Sequence, residues 1–181
     1  MLRMAKYATK TGGYWRSTRD KGSGMAESRK HVFISHLHED DHRLGPLKDL
    51  LSKSGMEVRD GSINSDKPNN ASSPEYIMSA ILAPRIQWAS VLVVLISPET
   101  RNSEWVTREI EYAERIGKRI IGVWDHGEAQ CDLPEALDRY ADAIVGWQGE
   151  RVKDAIEGRI NNRDTPDGEP VAVRDVPRYS C

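Results

Sequence analysis

The run from Ser90 to Ser97, SVLVVLIS, constrains the fold more than any other stretch of this 181-residue chain. Its core, Val91 to Ile96, is apolar at every position, so neither face of a strand built from it tolerates water. The run is also the longest apolar stretch and is much shorter than the roughly 20 residues of a membrane span. It therefore predicts a central strand of a parallel sheet, with helices covering both faces.

Further apolar runs alternate with helical patterns along the chain. The predicted helices cover Leu44 to Leu51, Pro74 to Trp88, Asn102 to Gly117, Leu133 to Tyr140 and Glu150 to Ile160. Pro84 must kink or shorten the second of these helices. The other predicted strands are His31 to Ser35, Met56 to Arg59, Arg119 to Trp124 and Ala143 to Trp147. This alternation predicts an α/β domain, a flavodoxin-like three-layer sandwich with about five parallel strands and helices on both faces.

Three regions follow from composition. Residues 1–30 are a basic leader with eight Lys or Arg against two acids, residues 31–160 form the domain, and residues 161–181 are a polar, proline-punctuated tail. The leader lacks a periodic core face, which favours a flexible extension upstream of an alternative start at Met25. Its interleaved aromatic residues leave a nucleic-acid contact as the alternative.

The net charge of the whole chain is −2, which does not favour binding to nucleic acid or to an anionic membrane. No apolar segment is typical of a secretory signal. Two cysteines without CxxC spacing favour a reducing, cytoplasmic location.

Glu109 is an unusual acid within the predicted helix Asn102 to Gly117. Glu104 and Glu111 each have an arginine four residues later, whereas Glu109 has Trp105, Val106, Tyr112 and Ala113 at helical spacing. Apolar surroundings raise the pKa of a carboxyl group, and such groups cluster at functional sites. The alternative is an ordinary solvated glutamate, because carboxylates are mostly exposed.

Ligands of parallel α/β sheets bind beyond the carboxyl ends of the strands. That edge collects Ser35, His36, Ser97 with the turn after it, the loop after Trp124, and the long polar loop from Asp60 to Ser73. For Ser35 and Ser97, capping of a strand end is as good an explanation as ligand contact. Loops as long as this one are usually functional or mobile.

The histidines after the first strand are similar to the zinc signature HxHxDH of metallo-β-lactamases. The register differs, because Asp41 stands where the signature has its third histidine, and only His126 follows later in the chain. We therefore predict no metal site.

The segments HVFISH, VRDGSI with the polar loop, SVLVVLISPET, SxWVxxEI and GKRIIGVW together resemble a TIR-like domain, over roughly residues 31–158. The closest variety is the bacterial Thoeris (ThsB-like) type, which is grouped with archaeal TIR-like proteins of unknown role. The resemblance implies a five-stranded parallel sheet flanked by helices, which agrees with the prediction made above from periodicity.

Enzymatic TIR members cleave NAD between nicotinamide and ribose, with a glutamate in a WxxxE context. The resemblance assigns the catalytic role to Glu109 and an aromatic wall to Trp105. It places a pocket wall at Phe33, Ser35 and His36, and a mobile loop beside the ligand at Asp60 and Ile63. The chain departs from common TIR patterns in having His36 where tyrosine often follows the serine, and in its longer loop.

NAD is then a substrate, and no cofactor is expected. The product is ADP-ribose or a cyclic isomer, a diffusible nucleotide signal that switches on a partner effector protein during phage infection. A homo-oligomer is a further expectation from the resemblance. Two alternatives stay open: a catalytically silent TIR-like scaffold, and a nucleoside deoxyribosyltransferase-like enzyme.

Overall fold

The computed structural model describes residues 30–56, 58–60, 73–127 and 130–171. Within these residues the sheet has five strands, all parallel, in the order β2-β1-β3-β4-β5. The strands are β1 Lys30–Ser35, β2 Val58–Asp60, β3 Val91–Ile96, β4 Arg119–Trp124 and β5 Ala143–Val145. The order confirms the predicted flavodoxin-like topology.

Helices cover both faces of the sheet. They are α1 Asp41–Lys53, α2 Pro74–Tyr76, α3 Ala83–Trp88, α4 Glu104–Arg115, α5 Glu135–Tyr140 and α6 Gly149–Glu157. One core joins α1 and α6 to one face of the sheet, and a second core joins α3, α4 and α5 to the other. The three-layer prediction is therefore confirmed.

The central strand β3 supplies both cores. Val91 and Val93 lie in the α1 and α6 core, whereas Leu92, Val94 and Ile96 lie in the α3, α4 and α5 core. Successive side chains of a strand point to opposite faces, so a strand buried on both sides needs an unbroken apolar run. This requirement explains the SVLVVLIS segment.

The segment from Pro74 to Trp88 is helical but irregular, as Pro84 predicts. A π-helix over Ile77–Leu82 separates α2 from α3, and Pro84 lies in the first turn of α3. Proline has no N–H for the α-helical ladder, so the change of hydrogen bonding next to it has a direct cause.

The start of the region predicted as a polar tail returns to the sheet. Ile144 of β5 forms a parallel bridge with Arg163, and Asp164 pairs with Pro170 in an antiparallel bridge. The indole Nε1 of Trp124 donates to the backbone oxygen of Asp164 at 2.7 Å. Residues 161–171 thus cover the outer edge of β5.

Neither a membrane-spanning helix nor a metal-binding cluster is found among the described residues. No helix there is both long enough and apolar enough to cross a membrane. No group of three or more His, Cys, Asp or Glu side chains there is arranged to hold a metal ion.

Candidate functional site

The candidate site lies at the carboxyl ends of β1 and β3. These strands are neighbours, and the chain leaves β1 toward β2 on one side of the sheet and β3 toward β4 on the other. Such a reversal opens a crevice at the strand ends, which is where parallel α/β sheets bind ligands. Ser35 ends β1 and Ser97 follows β3, and both side chains are buried.

Helix α4 brings Glu109 to this edge. Ser103 caps the helix, its Oγ accepting from the Val106 N–H at 3.3 Å. Val106, Ile110 and Ala113 bury one face of the helix against the sheet, and Glu109 is carried in beside them with 7% of its surface exposed. The apolar stripe therefore fixes where the carboxylate lies.

Glu109 meets Ser35 across the core. The Ser35 Oγ donates to Glu109 Oε2 at 2.5 Å, joining residues 74 positions apart in the sequence. Among the described residues, Glu109 forms no ion pair. Its carboxyl group is thus buried against apolar side chains with one hydroxyl donor.

Burial raises the pKa of the Glu109 carboxyl from its ordinary 4.5 to about 7, and the hydrogen bond from Ser35 opposes this rise. The sequence predicted a raised pKa for Glu109, because its neighbours at helical spacing are apolar. A carboxyl group with a pKa near neutrality can change its protonation state in the physiological range.

The opposite face of the sheet holds a second hydroxyl–carboxylate pair. Ser97 Oγ donates to Asp40 Oδ2 at 2.9 Å, and the Ser97 N–H donates to Thr100 Oγ1 at 3.0 Å. Thr100 Oγ1 also lies 3.2 Å from the Leu95 oxygen, to which it donates. All three polar side chains are buried. This network braces the turn after β3, so Ser97 acts as a strand-end cap.

A third polar pair follows β4. Arg43 Nε lies 3.1 Å from Asp125 Oδ2, and the His126 N–H donates to Asp125 Oδ1 at 2.7 Å. Asp125 is 4% exposed. The pair extends the polar edge of the sheet on the α1 side.

Phe33 and His36 both contact other residues of the protein. Phe33 is 1% exposed and packs in the α3, α4 and α5 core. The His36 ring lies between two acceptors, with Nδ1 3.0 Å from the Ile34 oxygen and Nε2 2.7 Å from Asp41 Oδ1. These contacts fix the path of the chain as it leaves β1.

Trp105 lies one turn before Glu109 but on the surface. The side chain is 37% exposed, and the Arg108 guanidinium lies 5.5 Å from its ring centroid. The two residues share a helix and differ in burial, so Trp105 is open to solvent whereas Glu109 faces the core.

A shallow depression of about 400 Å³ lies along the start of α4. It is lined by Arg101, Asn102, Ser103, Glu104, Thr107, Arg108 and Glu111. Its charges are of both signs, and it contains none of the predicted site residues. Glu109 and Ser35 therefore lie outside this depression.

The family model described as Thoeris protein ThsB, TIR-like domain, matches residues 33–130, more than half of the chain. The chain belongs to this family. The match confirms the resemblance drawn from the sequence motifs, and it covers the second half of β1 and all of β3, α4 and β4.

Three further proteins are similar to this chain. A putative cyclic ADP-D-ribose synthase, TIR2, of Cytobacillus dafuensis is 26% identical over 105 residues, which is 56% of this chain and 27% of that protein. A conserved protein from Enterococcus faecalis V583 aligns with 74% of this chain and 100% of its own, with 11% identity and a TM-score of 0.48. The TIR domain of the Toll-related receptor TRR-2 from Hydra magnipapillata aligns with 71% of this chain and 92% of its own, with 15% identity and a TM-score of 0.45.

Two predicted site residues of this TIR-like chain belong to the loop after β2. The backbone of Asp60 ends β2 opposite Val32, and its side chain is not described. Ile63 lies outside the described residues. Their assignment to the ligand side remains a prediction.

Sequence reasoning did not single out Asp40, Arg43 or Asp125. Asp125 directly follows the apolar strand RIIGVW, which is the same signal that marked Ser35 and Ser97. Asp40 and Arg43 carry no such signal, because their partners are distant in sequence. Only the packing of α1 on the sheet brings them to the edge.

Proposed function

We propose that this chain is an enzyme that cleaves NAD at the bond between nicotinamide and ribose, with Glu109 as the catalytic carboxylate. The observation that supports this most is the position of Glu109. It is buried at the carboxyl edge beside the β1/β3 reversal, and within the described residues a hydroxyl is its partner, not a cation.

The proposed chemistry uses the ionised form of Glu109. The bond between ribose C1′ and the pyridinium nitrogen breaks, its electron pair stays on nitrogen, and neutral nicotinamide leaves. Positive charge then develops on the ribose, as in glycoside cleavage. A carboxylate facing the sugar stabilises that charge best where water is excluded, and it can also hold the ribose hydroxyls.

The acceptor determines the product. Attack by water at C1′ gives ADP-ribose and releases one proton. Attack by a nitrogen of the adenine of the same molecule forms the new bond to C1′, and loss of one proton from the adenine gives a cyclic ADP-ribose isomer. The name of the Cytobacillus relative supports the cyclic product, although this chain spans only 27% of that protein. The product then serves as a cytoplasmic signal to an effector protein in antiphage defence, and homo-oligomers are part of this proposal.

The direct test is nicotinamide release from NAD by the purified protein. Glu109→Gln keeps the size of the side chain and removes its charge, so we expect release to fall about 100- to 1000-fold. Glu111→Gln, an exposed acid on the same helix, is the matched control and should keep full activity. Equal release from wild type and Glu109→Gln would remove Glu109 from its role.

The alternatives predict different results. No release from the wild type, with or without extract of phage-infected cells, would favour a scaffold. Cleavage of deoxynucleosides without cleavage of NAD would favour the deoxyribosyltransferase-like reading. Separation of the products distinguishes ADP-ribose from a cyclic isomer.

A further inference from the structure

We propose that Ser35 is a positioning residue, which holds the Glu109 carboxylate in one orientation and does not itself contact NAD. This inference rests on the proposed function of Glu109. It differs from the role that the family resemblance implies for Ser35, which is to line the ligand pocket.

Burial separates Ser35 from the ligand. Its surface is 1% exposed, and its side chain lies on the same face of β1 as Phe33, toward α4. A serine hydroxyl has one proton, and Ser35 donates it to Glu109 Oε2 at 2.5 Å. The hydroxyl therefore has no further proton to donate to a substrate.

The strand makes Ser35 a fixed support. Ser35 is paired in register with Val94 of β3, and both residues are buried. A glutamate side chain has several rotatable bonds, and a strong hydrogen bond to one oxygen restricts them. Because Oε2 is held by Ser35, and no donor to Oε1 is found among the described residues, Oε1 is the oxygen left to face a ribose.

The hydrogen bond from Ser35 also affects the pKa of Glu109. The elements around Glu109 carry ionisable side chains, namely His36 after β1, Arg85 on α3, Arg108 and Tyr112 on α4, and Arg139 on α5. The pKa of Glu109 nevertheless follows from two causes, burial and the Ser35 hydrogen bond. Removal of the hydroxyl should therefore leave burial unopposed and raise the pKa further.

Ser97 provides a matched control for this test. It occupies the corresponding place after β3, and its hydroxyl also donates to a buried carboxylate, Asp40, at 2.9 Å. That pair lies on the α1 side of the sheet. Ser97→Ala thus removes a comparable hydrogen bond without touching Glu109.

The first measurement needs no catalysis. The full chain is labelled with ¹³C at glutamate side-chain carboxyls, and the Glu109 signal is identified by its absence in Glu109→Gln. We expect Ser35→Ala to raise the pKa of Glu109 by about one unit and Ser97→Ala to leave it unchanged. An unchanged pKa in Ser35→Ala, or an equal shift in Ser97→Ala, would overturn the positioning role.

The second measurement is steady-state NAD cleavage from pH 5 to pH 9. We expect Ser35→Ala to lower kcat about 10- to 100-fold, with KM within about twofold, and to move the acid limb of the pH profile upward. A rise in KM alone would overturn the proposal and make Ser35 a substrate contact. Absence of NAD cleavage by the wild type would count against the proposed function, while the carboxyl titration would still test the bond between Ser35 and Glu109.

Discussion

The buried acids of the described residues differ in their partners. Asp125 and Asp164 each contact an arginine, Arg43 and Arg151, as buried carboxylates in stable proteins usually do. Asp40 and Glu109 each contact a serine hydroxyl instead. A hydroxyl repays less of the cost of taking a charge out of water, so neither position is optimal for stability. Burial also raises the pKa of Glu109, and a buried acid with a raised pKa is a candidate for a functional role.

Trp105 tests how far the site extends along α4. Because the indole is exposed one helical turn before Glu109, we expect Trp105→Ala to raise KM for NAD about tenfold with a change in unfolding free energy within about 0.5 kcal/mol. Trp88→Ala is the control, since Trp88 is also exposed but lies at the end of α3, stacked on His31. Similar KM values for wild type and Trp105→Ala would remove Trp105 from the ligand wall.

At the scale of elements, the segment 161–171 behaves as part of the domain. Arg151 of α6 donates from Nε to Asp164 Oδ2 at 3.0 Å, and the Asp164 side chain is fully buried. The same segment bridges β5 and accepts from the Trp124 indole. These contacts tie α6, β4 and β5 together and protect the edge of the sheet from pairing with other chains.

Arg151→Met tests this connection. Loss of the cation leaves the Asp164 carboxylate buried and uncompensated, so we expect a loss of about 3 kcal/mol in unfolding free energy, measured by urea denaturation. Asp164→Asn added to Arg151→Met should recover part of that loss. Arg139→Met, which breaks an exposed pair with Glu135, should leave the unfolding free energy nearly unchanged. Equal effects of the two arginine variants would show that residues 161–171 contribute little to the fold.

At the scale of the whole molecule, the protonation of Glu109 is linked to global stability. Its pKa is about 7 in the folded protein against an ordinary 4.5, so the folded state binds the proton more tightly than the unfolded state does. The resulting stability is fully present below pH 4.5 and is lost as the pH rises through about 7. Above pH 7 the folded chain carries the full penalty of a buried charge.

Glu109→Gln should therefore be more stable than the wild type at alkaline pH. We expect its advantage in unfolding free energy to grow by about 2 kcal/mol between pH 5 and pH 8, because glutamine does not titrate. Urea unfolding at both pH values measures this change, and Glu111→Gln should show none. Parallel pH curves for wild type and Glu109→Gln would contradict the buried-charge explanation.

The amino-acid sequence by itself determined the architecture and the leading candidate residue. The two-sided apolar run of β3 requires helices on both faces of a parallel sheet, and the periodicity of α4 sets which of its residues face the core. Glu109 stood out because it has no cation at helical spacing. These features are local patterns, and local patterns can be read from residues a few positions apart.

Only the tertiary structure decided which groups meet. The contacts Ser35–Glu109 and Ser97–Asp40 join residues 74 and 57 positions apart, and their strengths depend on the register of strands and helices. The pairing of residues 161–171 with β5 could not be predicted either. A polar segment without periodicity does not indicate which strand it contacts. The sequence indicated that Glu109 and Ser35 lie near the functional edge. The folded chain showed that the two side chains are hydrogen-bonded, because this bond exists only when β1 and α4 pack against each other on one face of the sheet.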